Sequence, residues 1–142
     1  MTVYLDTSSL VKLYVDEAGS DDVRMDLTDA TAVATSALAY PEARAAFAKR
    51  RREHAMTPSV YRSIVRDLDA DWPAYVVIEP TMELLRRAGD LAERHGLRGF
   101  DSVHLASYLD VVRETGPSGA RFSSFDRPLN RAAAAATRKR RR

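Results

Sequence analysis

A chain of 142 residues, 45% of them hydrophobic and with a formal net charge of +2, is expected to fold as one domain with a substantial core. Its lack of cysteine excludes disulfides, thiolate metal sites and cysteine catalysis. The sequence has no apolar run long enough to predict a membrane span, and it does not open with a basic segment followed by an apolar one, as a signal peptide would. We therefore expect a cytoplasmic protein without membrane association.

The opening residues place a carboxylate at the end of a predicted strand. Val3 to Leu5 form an apolar run typical of a buried strand, and apolar residues then recur at helical spacing up to Tyr14. Asp6 lies between the two and is followed by three hydroxyl residues. Ligands of open α/β sheets bind beyond the carboxyl ends of the strands, so Asp6 is a site candidate. Taken alone, it is equally well explained as the N-cap of the helix.

The next segment predicts a helix followed by a strand and a second helix. The first helix is expected over about 21–29 and the strand over 32–35. Ser36 is expected to be the N-cap of a helix that runs to about residue 53. Pro41, one turn inside that helix, is expected to kink it.

The middle of the chain repeats this alternation. Thr57, followed by a proline, predicts the start of a helix that ends at Trp72. The β-branched residues over 75–78 predict a third strand. A helix is expected after Thr81, and Gly96 is expected to end it in a left-handed conformation.

The last third predicts a helix from Gly99, a strand over 120–125 and a final helix over about 128–137. Short strands alternating with helices predict an α/β fold with a parallel sheet. We expect one domain over residues 1–137 and a basic C-terminal tail over 138–142. Without the five basic residues of the tail, 17 basic residues stand against 20 acidic ones. The tail is therefore either solvated or a contact for nucleic acid.

Four acids lie next to apolar or small residues, where an unpaired carboxylate is costly. Asp6 follows the first strand, Glu42 lies early in the helix after the second strand, Asp101 starts a helix, and Asp126 follows the fourth strand. The expected partner is a basic side chain or a divalent cation. If the acids converge, their oxygens select Mg²⁺ or Mn²⁺, which can activate water against a phosphodiester.

The order and spacing of these acids resemble the PIN-domain ribonucleases, and most closely the VapC toxins of bacterial and archaeal toxin–antitoxin pairs. The resemblance rests on Asp6 in YLDTSSLVKLY, Glu42 in TSALAYPEARAA, Asp101 in LRGFDSVHLA and Asp126 in FSSFDRPLNRAA. It covers nearly the whole predicted domain. It implies a PIN-like three-layer α/β/α sandwich with a short central parallel sheet of four or five strands.

The resemblance also implies a Mg²⁺- or Mn²⁺-dependent endoribonuclease, a hydrolase of RNA phosphodiester bonds. Asp6, Glu42 and Asp101 would be the core metal ligands, with Asp126 as a fourth acid bound less directly. The implied partners are an RNA substrate such as transfer or ribosomal RNA, a cognate VapB-like antitoxin, and a second copy of the chain in a homodimer.

Further polar residues are candidates for supporting or substrate-binding roles. Ser8 and Ser124 match small hydroxyl positions that support the acids in the resembling family. Arg44 and Arg50 lie in a basic helix, which is explained equally well as a phosphate-binding surface or as a solvated helix end. His104, on the same helical face as the third acid, is expected to pack or to support the site, with substrate contact as the alternative.

Three other functions stay open. A phosphatase of the haloacid dehalogenase type also has an acid after its first strand, but it expects a second acid where this chain has Ser8. A non-catalytic RNA- or protein-binding module would keep the fold, yet four acids near phosphate disfavour RNA binding alone. A PIN-domain RNA processing nuclease that is not a toxin would use the same chemistry, and the short chain favours a toxin.

Overall fold

Four parallel strands form the centre of the fold. The structure, a computed structural model, describes residues 1–138. The strands are β1 (Thr2–Leu5), β2 (Ala32–Ser36), β3 (Val76–Ile78) and β4 (Ala120–Ser123). Their order in the sheet is β3-β2-β1-β4, and every neighbouring pair is parallel. This topology places β1 and β2 in the interior of the sheet.

Helices cover both faces of this sheet. They are α1 (Thr7–Tyr14), α2 (Ser20–Leu27), α3 (Ala39–Arg52), α4 (Pro58–Asp71), α5 (Met82–His95), α6 (Gly99–Thr115) and α7 (Arg127–Arg138), with a 3₁₀ turn (Trp72–Ala74) after α4. As predicted, the hydroxyl of Thr57 caps α4, the hydroxyl of Thr81 caps α5, and Gly96 ends α5 with a φ of 64°.

Alternation along β1 assigns its side chains to two separate cores. Val3 and Leu5 pack with Phe47 and other residues of the α1–α4 layer. Tyr4 points the other way and packs in the layer of α5, α6 and α7, together with Leu105. The five side chains named here are each 0–1% exposed. The expected three-layer α/β/α sandwich is therefore confirmed.

The expectations for Ser36 and Pro41 are wrong. Ser36 is the last residue of β2, and α3 begins only at Ala39, after two residues that carry the chain out of the sheet. The backbone N–H of Ala37 still bonds to the carbonyl of Ile78 next to the strand end, at 3.0 Å. Pro41 therefore lies in the first turn of α3. N–H groups there have no intrahelical partner, so the proline interrupts no helical hydrogen bond.

The predicted end of the fourth strand is also wrong. β4 stops at Ser123, two residues before the predicted end, because Ser124 and Phe125 turn towards the loop after β1. The predicted domain boundary after residue 137 falls one residue before the end of α7, and residues 139–142 of the predicted tail lie outside the described residues. Within residues 1–138 the sheet has four strands, and no helix combines the length and apolar character needed to cross a bilayer.

Candidate active site

The four predicted acids line one surface depression of about 320 Å³. Asp6 follows β1, Glu42 lies in the first turn of α3, Asp101 lies in the first turn of α6, and Asp126 joins β4 to α7. β1, β2 and β4 are parallel neighbours, so the chain segments that follow these strands all begin at the same edge of the sheet. The fold thus brings together acids that are up to 120 positions apart in the sequence.

Asp6 is buried, with 4% of its surface exposed. Its Oδ1 accepts hydrogen bonds from the Ser9 backbone N–H at 3.0 Å and from the Ser8 hydroxyl at 2.6 Å, while its Oδ2 accepts one from the Ser124 hydroxyl at 2.6 Å. Burial raises the pKa of Asp6, and the hydrogen bonds from Ser124 and Ser8 oppose that rise. Asp6 is therefore the N-cap of α1, as one interpretation predicted, and it is also a buried carboxylate that lines the depression.

The two predicted supporting serines connect Asp6 to the loop after β4. The Ser8 hydroxyl accepts a hydrogen bond from the Phe125 backbone N–H at 3.1 Å. The Ser124 hydroxyl accepts one from the Asp126 backbone N–H at 3.0 Å. Since each hydroxyl also donates to Asp6, the loops after β1 and β4 are joined through one carboxylate. This link fixes where the fourth acid lies relative to the first.

Glu42 is held by a network that extends into the core. Its Oε1 accepts a hydrogen bond from the Thr7 hydroxyl at 2.7 Å and lies 3.2 Å from Nε2 of His104. Nδ1 of His104 lies 2.8 Å from the hydroxyl of Tyr4, which is fully buried. Burial acts to raise the pKa of Glu42, but the contacts with His104 and Thr7 outweigh it, so the pKa lies below its ordinary value. His104 is 2% exposed, which suits support of Glu42.

Asp101 and Asp126 share an arginine that the sequence analysis missed. Nε of Arg98 lies 3.1 Å from Oδ2 of Asp101, and a terminal nitrogen of the same guanidinium lies 3.7 Å from Oδ2 of Asp126. The Asp126 side chain also accepts a hydrogen bond from the Leu129 backbone N–H at 2.9 Å. The Arg98 side chain is 82% exposed, whereas those of Asp101 and Asp126 are 20% and 29% exposed.

Lys12 and Arg50 line the same depression and both pair with Glu17. Lys12 contacts Glu17 at 3.0 Å, and the Arg50 guanidinium approaches both Glu17 oxygens, the shortest distance being 2.9 Å. Arg44 does not line the depression. Its guanidinium instead donates to the Tyr40 hydroxyl at 2.9 Å. Of the two arginines predicted from the sequence, Arg50 is the one at the acids.

The chemistry of the donor set fits a hard divalent cation. Every predicted ligand is a carboxylate, and oxygen-only donors suit Mg²⁺ or Mn²⁺. The three hydrogen bonds to Asp6 leave acceptor capacity, because a carboxylate has about four lone-pair positions. Within residues 1–138, no three His, Cys, Asp or Glu side chains already converge as a metal cluster. Asp6, Glu42, Asp101 and Asp126 are the carboxylates of the depression that would hold such a cation.

Comparison with known families shows to which family the chain belongs. A family model for the PIN domain matches residues 3–111, well over half of the chain. The chain belongs to the PIN-domain family. The matched region includes Asp6, Glu42 and Asp101, and it ends before β4 and Asp126. The family resemblance predicted from the four acid motifs is thus confirmed.

Relatives narrow this assignment within the family. Ribonuclease VapC45 and Ribonuclease VapC49, both from Mycobacterium tuberculosis, are each 41% identical to the chain over 134 residues, which cover 94% of this chain and 90% of theirs. The chain is therefore a PIN-domain ribonuclease of the VapC type.

Two crystal structures show the same fold at low sequence identity. That of VapC20 from M. tuberculosis, described as a Sarcin-Ricin loop cleaving toxin, has a TM-score of 0.65 and 19% identity and covers 92% of this chain and 94% of that one. That of PAE2754 from Pyrobaculum aerophilum has a TM-score of 0.61 and 21% identity and covers 98% and 88%. Both likenesses concern the fold alone.

Thr7, Lys12, Glu17 and Arg98 are site residues whose roles the sequence analysis did not predict. Thr7 was noticed only as part of a hydroxyl run, although it follows Asp6 directly. Arg98 precedes Asp101 by three residues, a spacing at which side chains of a helix start can meet. That spacing was an available signal. The contact of Glu17 with Arg50 spans 33 residues, and nothing in the local sequence indicates it.

Proposed function

We propose that this VapC-type protein is the toxin of a toxin–antitoxin pair and cleaves RNA as an endoribonuclease that depends on Mg²⁺ or Mn²⁺. The observation that carries the proposal is that four carboxylates, from four different segments, line one depression of a PIN-domain chain. The substrate class is RNA, with transfer and ribosomal RNA as the candidates. A VapB-like antitoxin and a second copy of the chain are the proposed protein partners.

In this proposal, Asp6, Glu42 and Asp101 hold the cation, and Asp126 assists. When bound, the cation supplies Lewis-acid stabilisation of the charge that develops at the phosphodiester. The chain's own contribution is orientation. Ser8 and Ser124 fix both oxygens of Asp6, so this carboxylate has one preferred direction before any ligand arrives.

Glu42 is oriented in a comparable way by side chains of another layer. Thr7 donates to it from the start of α1, and His104 approaches it from α6, backed by Tyr4. Such outer contacts fix the direction of a ligand and its charged state. The lowered pKa of Glu42 keeps it ionised at neutral pH, as a cation ligand must be.

The charges around the depression suit a polyanionic substrate. The five acids that line it would repel RNA; Lys12, Arg50 and Arg98 place three cations at the same opening, and the proposed divalent cation would offset the remaining negative charge. Cationic side chains along a groove attract the phosphate backbone and make binding dependent on salt. The depression therefore combines acids that can hold a cation with basic groups that can hold phosphates.

The test is cleavage of candidate RNAs with Mg²⁺ or Mn²⁺, with and without a chelator. We expect cleavage by the wild-type protein only with the cation, and loss of cleavage in Asp6→Asn and Asp101→Asn. The matched control is Asp90→Asn, which alters an exposed acid of α5 outside the depression and should cleave normally. Equal cleavage by wild type and both site variants would refute the assignment of the site.

The partners need separate tests. Expression in cells should arrest growth for the wild type and leave growth normal for Asp6→Asn. Co-expression with a VapB-like reading frame found adjacent to the gene should restore growth and give a complex that purifies together. Light scattering on the isolated protein measures whether it is a dimer. A protein that cleaves RNA but causes no growth arrest would be a processing nuclease and not a toxin.

A further inference from the structure

Arg98 is an unusual residue for its place in the chain. It is the N-cap of α6, and its side chain makes no capping hydrogen bond. N-cap positions favour Ser, Thr, Asp and Asn, and the helix dipole disfavours a cation at this end. The residue therefore contributes little to the helix it precedes, so its presence needs another reason.

Its contacts supply that reason. Arg98 bridges Asp101 and Asp126, two of the four acids proposed to bind the cation, at 3.1 Å and 3.7 Å. The other two cations of the depression, Lys12 and Arg50, are paired with Glu17 instead. Within the described part of the chain, Arg98 is thus the lining cation that neutralises proposed ligands.

The guanidinium has room to leave this position. The Arg98 side chain is 82% exposed, so solvent screens its ion pairs and makes them weak. It also lines a second, larger cavity of about 760 Å³ that adjoins the acid depression. Glu42 and Asp101 line both cavities too, so a small rotation keeps the arginine at the edge of the site. A planar guanidinium is well suited to bind phosphate with two hydrogen bonds.

We propose that Arg98 exchanges partners during the cycle of the enzyme. Without a cation, it is the counter-ion of Asp101 and Asp126. When the divalent cation takes its place, Arg98 turns to a phosphate of the bound RNA. This inference rests on the proposed nuclease function, and it adds a residue that both competes with the cation and binds the substrate.

The test compares Arg98→Gln with Arg24→Gln. Arg24 is a matched control because it also bridges two aspartates, Asp21 at 2.9 Å and Asp16 at 3.5 Å, but lies outside the depression. The first readout is calorimetric titration with Mn²⁺ alone. We expect Arg98→Gln to bind Mn²⁺ about two- to five-fold more tightly than wild type, because a competing exposed ion pair is gone. Arg98→Lys should lie between the two, and Arg24→Gln should match wild type.

The second readout is kcat/KM on single-stranded RNA over a series of salt concentrations. We expect Arg98→Gln to lower kcat/KM even though it binds Mn²⁺ more tightly. The slope of log kcat/KM against log salt should become shallower by about 0.7, the value for one lost phosphate contact on a single strand. A purely structural role of Arg98 would leave that slope unchanged, and Arg24→Gln should leave it unchanged as well.

The outcomes separate this inference from the function on which it rests. If the wild type neither binds Mn²⁺ nor cleaves RNA, the proposed function fails and takes the inference with it. If the wild type does both, but Arg98→Gln binds Mn²⁺ no more tightly or keeps the full salt slope, the exchange is wrong and the nuclease function stands. Because Arg98 is exposed, the variant should fold, and the melting temperature of the cation-free protein checks this.

Discussion

The acids of the site fall into two pairs that are held in different ways. Asp6 and Glu42 are fixed by the half-buried hydroxyl groups of Ser8, Ser124 and Thr7 and by the buried His104. Asp101 and Asp126 are instead bridged by one exposed arginine. The first pair is pre-oriented by the fold. In the second pair the Leu129 backbone N–H also holds Asp126, but the ion pairs of both acids are with a group that solvent can replace. In the proposed function, a cation would find two ligands in place and would recruit the other two by displacing Arg98.

The largest expected effects are those of replacing one acid of each pair, and they differ in stability although not in cleavage. Asp6→Asn and Asp101→Asn should each lower cleavage by about 10³-fold, equivalent to several kcal/mol of lost charge stabilisation. In chelator, however, Asp6→Asn should raise the free energy of unfolding by about 0.5–2 kcal/mol, because burial disfavours the Asp6 charge. Asp101→Asn should change it by less than about 0.5 kcal/mol. Urea unfolding measures both, and a destabilised Asp6→Asn would contradict the cost assigned to this buried charge.

The next effect tests the support of the pre-oriented pair. His104→Ala should lower the free energy of unfolding by about 3 kcal/mol, since it leaves a cavity in the core and removes one hydrogen-bond partner each from Tyr4 and Glu42. Cleavage should fall about 10- to 100-fold, as for other groups that orient a metal ligand. Val112→Ala is the control, because it truncates a core side chain of the same helix away from Glu42. Equal losses of activity in the two variants would reduce His104 to a packing role.

A smaller effect concerns the hydroxyl that joins Asp6 to Asp126. Ser124→Ala should cost about 1–2 kcal/mol of stability and about ten-fold in cleavage. Removing this hydrogen bond should also raise the pKa of Asp6 further, since burial would then be less opposed. Carboxylate NMR titration without cation measures the pKa, with Ser59→Ala, an exposed serine of α4, as the control. An unchanged pKa would show that the serine does not act through Asp6.

Glu17→Gln should have the smallest effect on the free energy of unfolding, and that effect should depend on pH. Burial acts to raise its pKa, but Lys12 and Arg50 outweigh it, so the pKa in the folded state is lowered. A lowered pKa stabilises the fold above the unfolded pKa, and the contribution disappears as the pH falls through the folded pKa. Glu17→Gln should therefore cost about 1 kcal/mol at neutral pH and progressively less in acid. Urea unfolding across this range checks it, and a cost that persists in acid would contradict it.

Local signals predicted most elements because the relevant physics is local. Thr57, Thr81 and Gly96 cap helices as expected, since their hydrogen bonds and φ preference involve neighbouring residues. Ser36 and Ser124 were placed wrongly in elements for the opposite reason. Ser36 has capping propensity and Ser124 lies among strand-forming aromatic residues, but Ser36 completes a sheet pairing with Ile78 and Ser124 bonds to Asp6, far away in the sequence.

By itself, the sequence determined the α/β class, a buried first strand and the choice of the four acids as site candidates. These follow from period, composition and spacing, which are properties of short segments. Only the tertiary structure decided which side chains hold the acids. Thr7 meets Glu42, Ser124 meets Asp6 and Arg98 meets Asp126 because parallel strands end at one edge of the sheet. Asp6 illustrates both levels. Its capping bond comes from Ser9, three residues along the chain, whereas its hydrogen bond from Ser124 depends on the loop after β4.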